Sequence, residues 1–106
     1  MDPYRRLAAE LIYGATLDYH SYWNTGLRRE QVLRATRNKR TKRDRWNMEQ
    51  IVVNRLKARA SLAERWMWGS HAPMPFELCC HALGWDEQAL ASRIMADRTG
   101  DNLEVN

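Results

Sequence analysis

A chain of 106 residues, 44% of them hydrophobic, has the length for one domain with a single core and needs no staples to hold it. No run of eighteen apolar residues exists, so a membrane-spanning helix is excluded. The net charge of +4 and sequence pI of about 9.4 hide an uneven spread: Met1–Leu27 carries net −1, Arg28–Arg65 net +9 and Trp66–Asn106 net −4. A basic middle between two faintly acidic ends favours a polyanionic partner for the middle, and also allows the ends to fold back and neutralise it.

In chain order, the first helix is predicted to start at Asp2, a good N-cap, with Pro3 at the first helical position where its missing N–H costs nothing. Tyr4, Leu7, Ala8, Leu11, Ile12, Ala15 and Tyr19 form its apolar stripe, and Asn24-Thr25-Gly26 ends it. Thr25 or Gly26 then caps a short second helix over Leu27–Thr36. Asn38–Arg43, NKRTKR, reads as a polar basic loop, with Thr41 as cap and Asp44 on the positive end of a long third helix over Lys42–Trp68. Gly69–Pro75, with two prolines, stops that helix. Two short helices follow, over Phe76–Leu83 and Asp86–Asp97, and Thr99–Asn106 reads as a polar, frayed tail. Nothing alternates with period two for long enough to form a strand. The expectation is an all-α, compact bundle of about five helices: one domain over residues 1–98 and a flexible tail over 99–106.

The last two helices, at residues 76–97, have the spacing of a helix-turn-helix, a unit whose second helix can enter the DNA major groove. Ala82 is small, Gly84 accepts a left-handed backbone at the corner, and Trp85 is expected to pack beneath it. Asp86 caps the second helix, and Leu90 with Ile94 form its inward face. Glu87, Gln88, Ala91, Ser92, Arg93 and Met95 are left for its outer face. Gln88, Ser92 and Arg93 are residue types that bond base edges. Two helices meeting at a glycine corner also occur as plain structure, and Glu87 and Asp97 would repel phosphates.

The basic segment is the second motif. Nine of the eighteen residues from Arg28 to Arg45 are Lys or Arg, against Glu30 and Asp44 as the only acids. Phosphate binding needs several cations reachable from one surface, and arginine adds two-pronged contact. Within this stretch Arg37, Lys39, Arg40, Lys42, Arg43 and Arg45 are the phosphate candidates. The alternative is a merely solubilising charged surface. Among five tryptophans, Trp46 lies among arginines and is the candidate for stacking or an interface, whereas Trp66 and Trp85 sit at helix junctions as apolar plugs. Tyr13, Tyr19, Tyr22 and Trp23 form a possible oligomer surface near the end of the first helix.

Metal and catalytic signals are weak. His71, Cys79, Cys80 and His81 are close in sequence, but adjacent helical positions point to different sides and do not converge on one ion. No metal site and no cofactor are expected from them. Cys79 and Cys80 read as small core hydrophobes; adjacent cysteines rarely pair, and two free thiols without a signal peptide fit a reducing cytoplasm. There is no G-x-S-x-G, P-loop, H-E-x-x-H or paired-carboxylate signature, so a non-enzymatic role is expected.

The stretch from Ala63 to Ile94 resembles small proteins encoded by bacteriophages and prophages. The resemblance lies in Trp66 closing a helix, Ser70 and a proline-containing linker, Phe76, Cys80, Leu83-Gly84, Asp86, Arg93 and Ile94. It covers about a third of the chain. This sequence departs from the pattern in His71 and Met74, which replace acidic linker residues, and in a single arginine in the last helix. The resemblance implies a helix-turn-helix DNA-binding regulator. The resulting expectation is a cytoplasmic phage-type protein, a transcriptional regulator that binds double-stranded DNA as a homodimer. Residues 37–45 grip phosphates while Gln88, Ser92 and Arg93 approach bases, all on one continuous cationic surface. The alternative is a small interaction protein that binds and blocks a host protein, such as RNA polymerase or a defence nuclease.

Overall fold

The computed structural model describes residues 2–69 and 73–97, which form five helices and no strand. These are α1 (Pro3–Trp23), α2 (Thr25–Thr36), α3 (Lys42–Met67), α4 (Phe76–Leu83) and α5 (Glu87–Ala96). The expected all-α architecture is therefore observed. The expected tail at 99–106 and His71 lie outside the described residues.

Most helix ends follow from local chemistry. The Asp2 carboxylate accepts from the Arg5 amide at 2.8 Å, the Thr41 hydroxyl from Asp44 at 3.0 Å and the Asp86 carboxylate from Ala89 at 2.8 Å. Each satisfies an amide that the helix itself leaves unbonded. The start of α2 differs from expectation. Asn24 caps it, its side chain accepting from the Leu27 amide at 3.1 Å, while the Asn24 amide donates to the last turn of α1 at His20. One residue thus closes one helix and opens the next, so α2 begins at Thr25, two residues early. Between α4 and α5, Gly84 takes φ +74°; its amide donates to His81 and the Trp85 amide donates to Cys80. This paired bonding around a left-handed residue terminates α4 and is open to glycine at the least cost.

The core gathers Ala8, Ile12 and Tyr19 from α1, Ala63 and Met67 from the end of α3, Phe76, Cys79 and Cys80 from α4, and Ala91 and Ile94 from α5. Trp66 closes its edge. The indole meets Phe76 edge-on at 5.2 Å between ring centres, and its Nε1 donates to the Met74 carbonyl at 2.9 Å. Tyr19, expected on an oligomer surface, is 2% exposed and belongs to this core. The reason is helical phase: Ala8, Ile12, Ala15 and Tyr19 share the face that meets α3 and α4.

α5 is also rotated relative to expectation. Ala91, assigned to the outer face, is buried beside Ile94, and its methyl allows close approach to the core. Trp85, expected beneath the corner, is instead 48% exposed, because Cys79, Cys80 and Ala91 already fill that space.

α1 and α2, hinged at Asn24, both pack along the longer α3: α1 against its C-terminal half and α2 against its N-terminal half. The two halves differ sharply. α2 contributes no buried residue, and α3 none before Leu56. The α2–α3 hairpin is an arm extending from the core. The radius of gyration of 16.1 Å reflects it, against about 13 Å for a compact chain of this length. No helix is long and apolar enough to cross a membrane.

Candidate nucleic-acid interface

The six phosphate candidates all fall at the tip of the arm, where α2 ends, the chain turns and α3 begins. Arg37, Arg40, Lys42, Arg43 and Arg45 are exposed and Lys39 is half-buried. The Lys39 amide donates to the Thr36 carbonyl at 3.1 Å, tightening the end of α2. Elsewhere on the arm, two cations are engaged. Arg34 pairs with Glu30 at 2.9 Å one helical turn away, and Arg28 donates to the Tyr22 carbonyl while lying 5.5 Å from the Tyr22 ring centre. Among the described residues, none of the six tip cations has a side-chain ion pair or hydrogen bond.

Two features make the tip unusual as a merely solvated surface. Lys42 and Arg43 occupy the first turn of α3, where the helix dipole is positive, so each cation is there against a local electrostatic penalty of about 0.3–1 kcal/mol. An anion placed at that turn meets unbonded amides, the dipole and the cations together. Apolar side chains also stand beside the charges. Trp46 is 61% exposed and Leu33 60%, so an indole and an isobutyl group face solvent on the arm without cover from the chain itself. Trp46 thus occupies the open position that its sequence context suggested.

Gln88, Ser92 and Arg93 are exposed on α5. They belong to α5, whose Ile94 carbonyl bonds the His20 imidazole in the last turn of α1 at 2.8 Å, outside the arm. The stretch of α3 that shares a core with Ala91 and Ile94 begins at Ala63, about 27 Å along the helix axis from Arg45. The neighbourhood of α5 is acidic, with Asp86, Glu87 and Asp97, and the Arg93 guanidinium lies 3.9 Å from the Asp97 carboxylate. The α5 candidates thus stand among carboxylates.

Cys79 and Cys80 are fully buried free thiols, in keeping with their reading as core hydrophobes. Burial raises both pKa values. For Cys80 it is the largest cause of a rise to about 11, with negative charge on Cys79, Glu87 and Asp86 adding to it. They are inert as nucleophiles in the folded chain.

At the α4–α5 corner a group missed by the sequence reading comes together: the ligand-type atoms of Glu77, His81 and Glu87 all lie within 4.8 Å of one another. Glu77 and His81 are one helical turn apart on α4, and the Gly84 corner returns the chain so that the first residue of α5 faces them. The sequence signal was the i, i+4 pair; the third member depends on the fold. No protein-family model, curated protein or solved structure matches this chain.

Proposed function

We propose that this protein binds double-stranded DNA and holds its phosphates on the tip of the α2–α3 arm. The observation that carries the reading is the set of Arg37, Lys39, Arg40, Lys42, Arg43 and Arg45 within nine residues, unpaired by carboxylates among the described residues and crowded at a helix N-terminus. Charge at that density repels itself and gains most from a polymer of regularly spaced anions, whose counterions are released on contact. Affinity then resides in the arm. α1 and the C-terminal half of α3 serve as the anchor on which the arm is built, and Gln88, Ser92 and Arg93 add little grip, since Arg93 already faces Asp97. The likeness of residues 63–94 to phage and prophage regulators supports a role in transcriptional regulation. Site-specific control then calls for a homodimer, because one short element spans too few base pairs.

The test is fluorescence anisotropy with a labelled duplex at low and moderate salt. Tight binding at low salt that collapses as salt rises supports the reading, and absence of binding at low salt ends it. The exposed Trp46 and Leu33 favour a second reading, an interaction protein whose arm docks an acidic host protein by combined charge and apolar contact. That reading is preferred if the duplex fails to bind while a host protein is captured, and capture is abolished by Trp46→Ala.

A further inference from the structure

The Glu77–His81–Glu87 group lies away from the arm and plays no part in the DNA reading. We infer that it is a binding site for a divalent transition metal, with zinc as the ion its donors fit. The argument starts from distance. Zinc holds imidazole nitrogen and carboxylate oxygen at about 2.0–2.2 Å, so neighbouring ligand atoms in a tetrahedral shell stand about 3.4 Å apart. Three side chains whose ligand atoms are already within 4.8 Å of one another reach that shell by small rotations about their own bonds.

The donor set narrows the ion. Calcium and magnesium take oxygen ligands, whereas an imidazole among two carboxylates suits zinc and its first-row neighbours. The electrostatics favour a cation as well. Neither Glu77 nor Glu87 has an ion pair with a described Lys or Arg, and Asp86 adds a further negative charge beside Glu87. The group also differs from a chance row of surface acids in its construction. Its members come from two helices, and the bonded Gly84 corner fixes how those helices meet. Three protein ligands leave a fourth position for water, so the ion would be exchangeable from solution. Bound there, it ties the middle of α4 to the start of α5 and stabilises that pair, because metal that binds only the folded chain shifts the folding equilibrium.

Titration of zinc chloride into the reduced 106-residue chain by isothermal calorimetry tests the inference. The expected result is one equivalent bound with micromolar affinity and a zinc-dependent rise in Tm. H81A and E77Q each weaken binding at least about tenfold and lower the Tm rise at a given zinc concentration accordingly. H20A, whose imidazole bonds the Ile94 carbonyl at 2.8 Å elsewhere on the molecule, retains the zinc affinity. Both informative substitutions are at exposed positions, and far-UV circular dichroism confirms that α4 is intact in each. No binding to the wild-type protein at free zinc on the order of 1 mM, or unchanged binding in both H81A and E77Q, overturns the site.

Discussion

Removing charge from the arm tip gives the sharpest check on the DNA reading. The perturbation is R40A/K42A/R43A, which deletes three exposed cations that have no ion pair among the described residues. Lys42 and Arg43 also oppose the dipole of α3, so their loss relieves the fold instead of weakening it, and Tm is expected to hold or rise. If all six tip cations contact phosphates, the slope of log K against log salt is about −0.9 per contact, or roughly −5. The triple variant keeps three contacts and falls to roughly −3. Between about 50 and 200 mM salt the wild-type protein then loses on the order of 10³ in affinity and the variant about 40-fold. Anisotropy of a labelled duplex of roughly 20 base pairs, enough to span the arm, reads both slopes in one titration series. Parallel slopes for the two proteins would refute phosphate contact by these residues. A wild-type slope shallower than about −1 would refute the polyanion reading altogether.

The other predictions concern α5, the core and the thiols. Q88A/S92A/R93A is expected to change affinity for random-sequence duplex less than about twofold in the same assay, because phosphate contact elsewhere supplies most of the non-specific term; a loss as large as that of the arm variant would move the interface to α5. Phe76→Ala removes a ring 2% exposed and packed edge-on against Trp66, and should cost about 3–5 kcal/mol in urea unfolding. A loss below about 1 kcal/mol would mean that the α3–α4 junction is not the centre of the core. Cys80 sets a pH dependence. Its folded pKa is raised from 9.0 to about 11, so its contribution is complete below pH 9 and is lost as pH rises toward 11, where the unfolded chain has released a proton that the native chain retains. Stability should fall in that window by on the order of 2 kcal/mol, and the Cys80→Ala chain should lack that component when the two unfolding curves are compared across pH.

Much of the fold was legible because its signals are local. Asp2, Thr41 and Asp86 cap through their own side chains, and Gly84 closes α4 by a backbone conformation that its sequence context announces. The errors came where several elements decide together. Asn24 serves two helices at once, which no single-helix rule anticipates. Ala91 and Trp85 exchanged their expected environments because a helix face a few residues long fits more than one rotation, and the space available in the core selects among them. The candidate interface follows the same rule. Composition located the arm cations, since charge density is a property of the local chain. Where they lie relative to Gln88, Ser92 and Arg93 depends on how α5 packs against α1, which the charge pattern does not describe. Likewise the meeting of Glu87 with Glu77 and His81 depends on the corner, which local spacing does not describe.

The arm itself is the best argument for a partner. A two-helix hairpin with no buried residue in α2 and none in α3 before Leu56 has little apolar burial to offset the ordering of its backbone. A twelve-residue helix such as α2 is marginal alone in water. What holds the arm out is the continuity of α3 into the core and the shared cap at Asn24, while nine cations between residues 28 and 45 push against one another. Every contribution made by an incoming phosphate chain acts on the weak side of that balance. On the proposed reading it would neutralise the repulsion, bond the free amides of the first turn of α3, and bring bases within reach of Trp46. On that reading, a nucleic acid is the ligand that would relieve the repulsion, bond those amides and cover Trp46 at once.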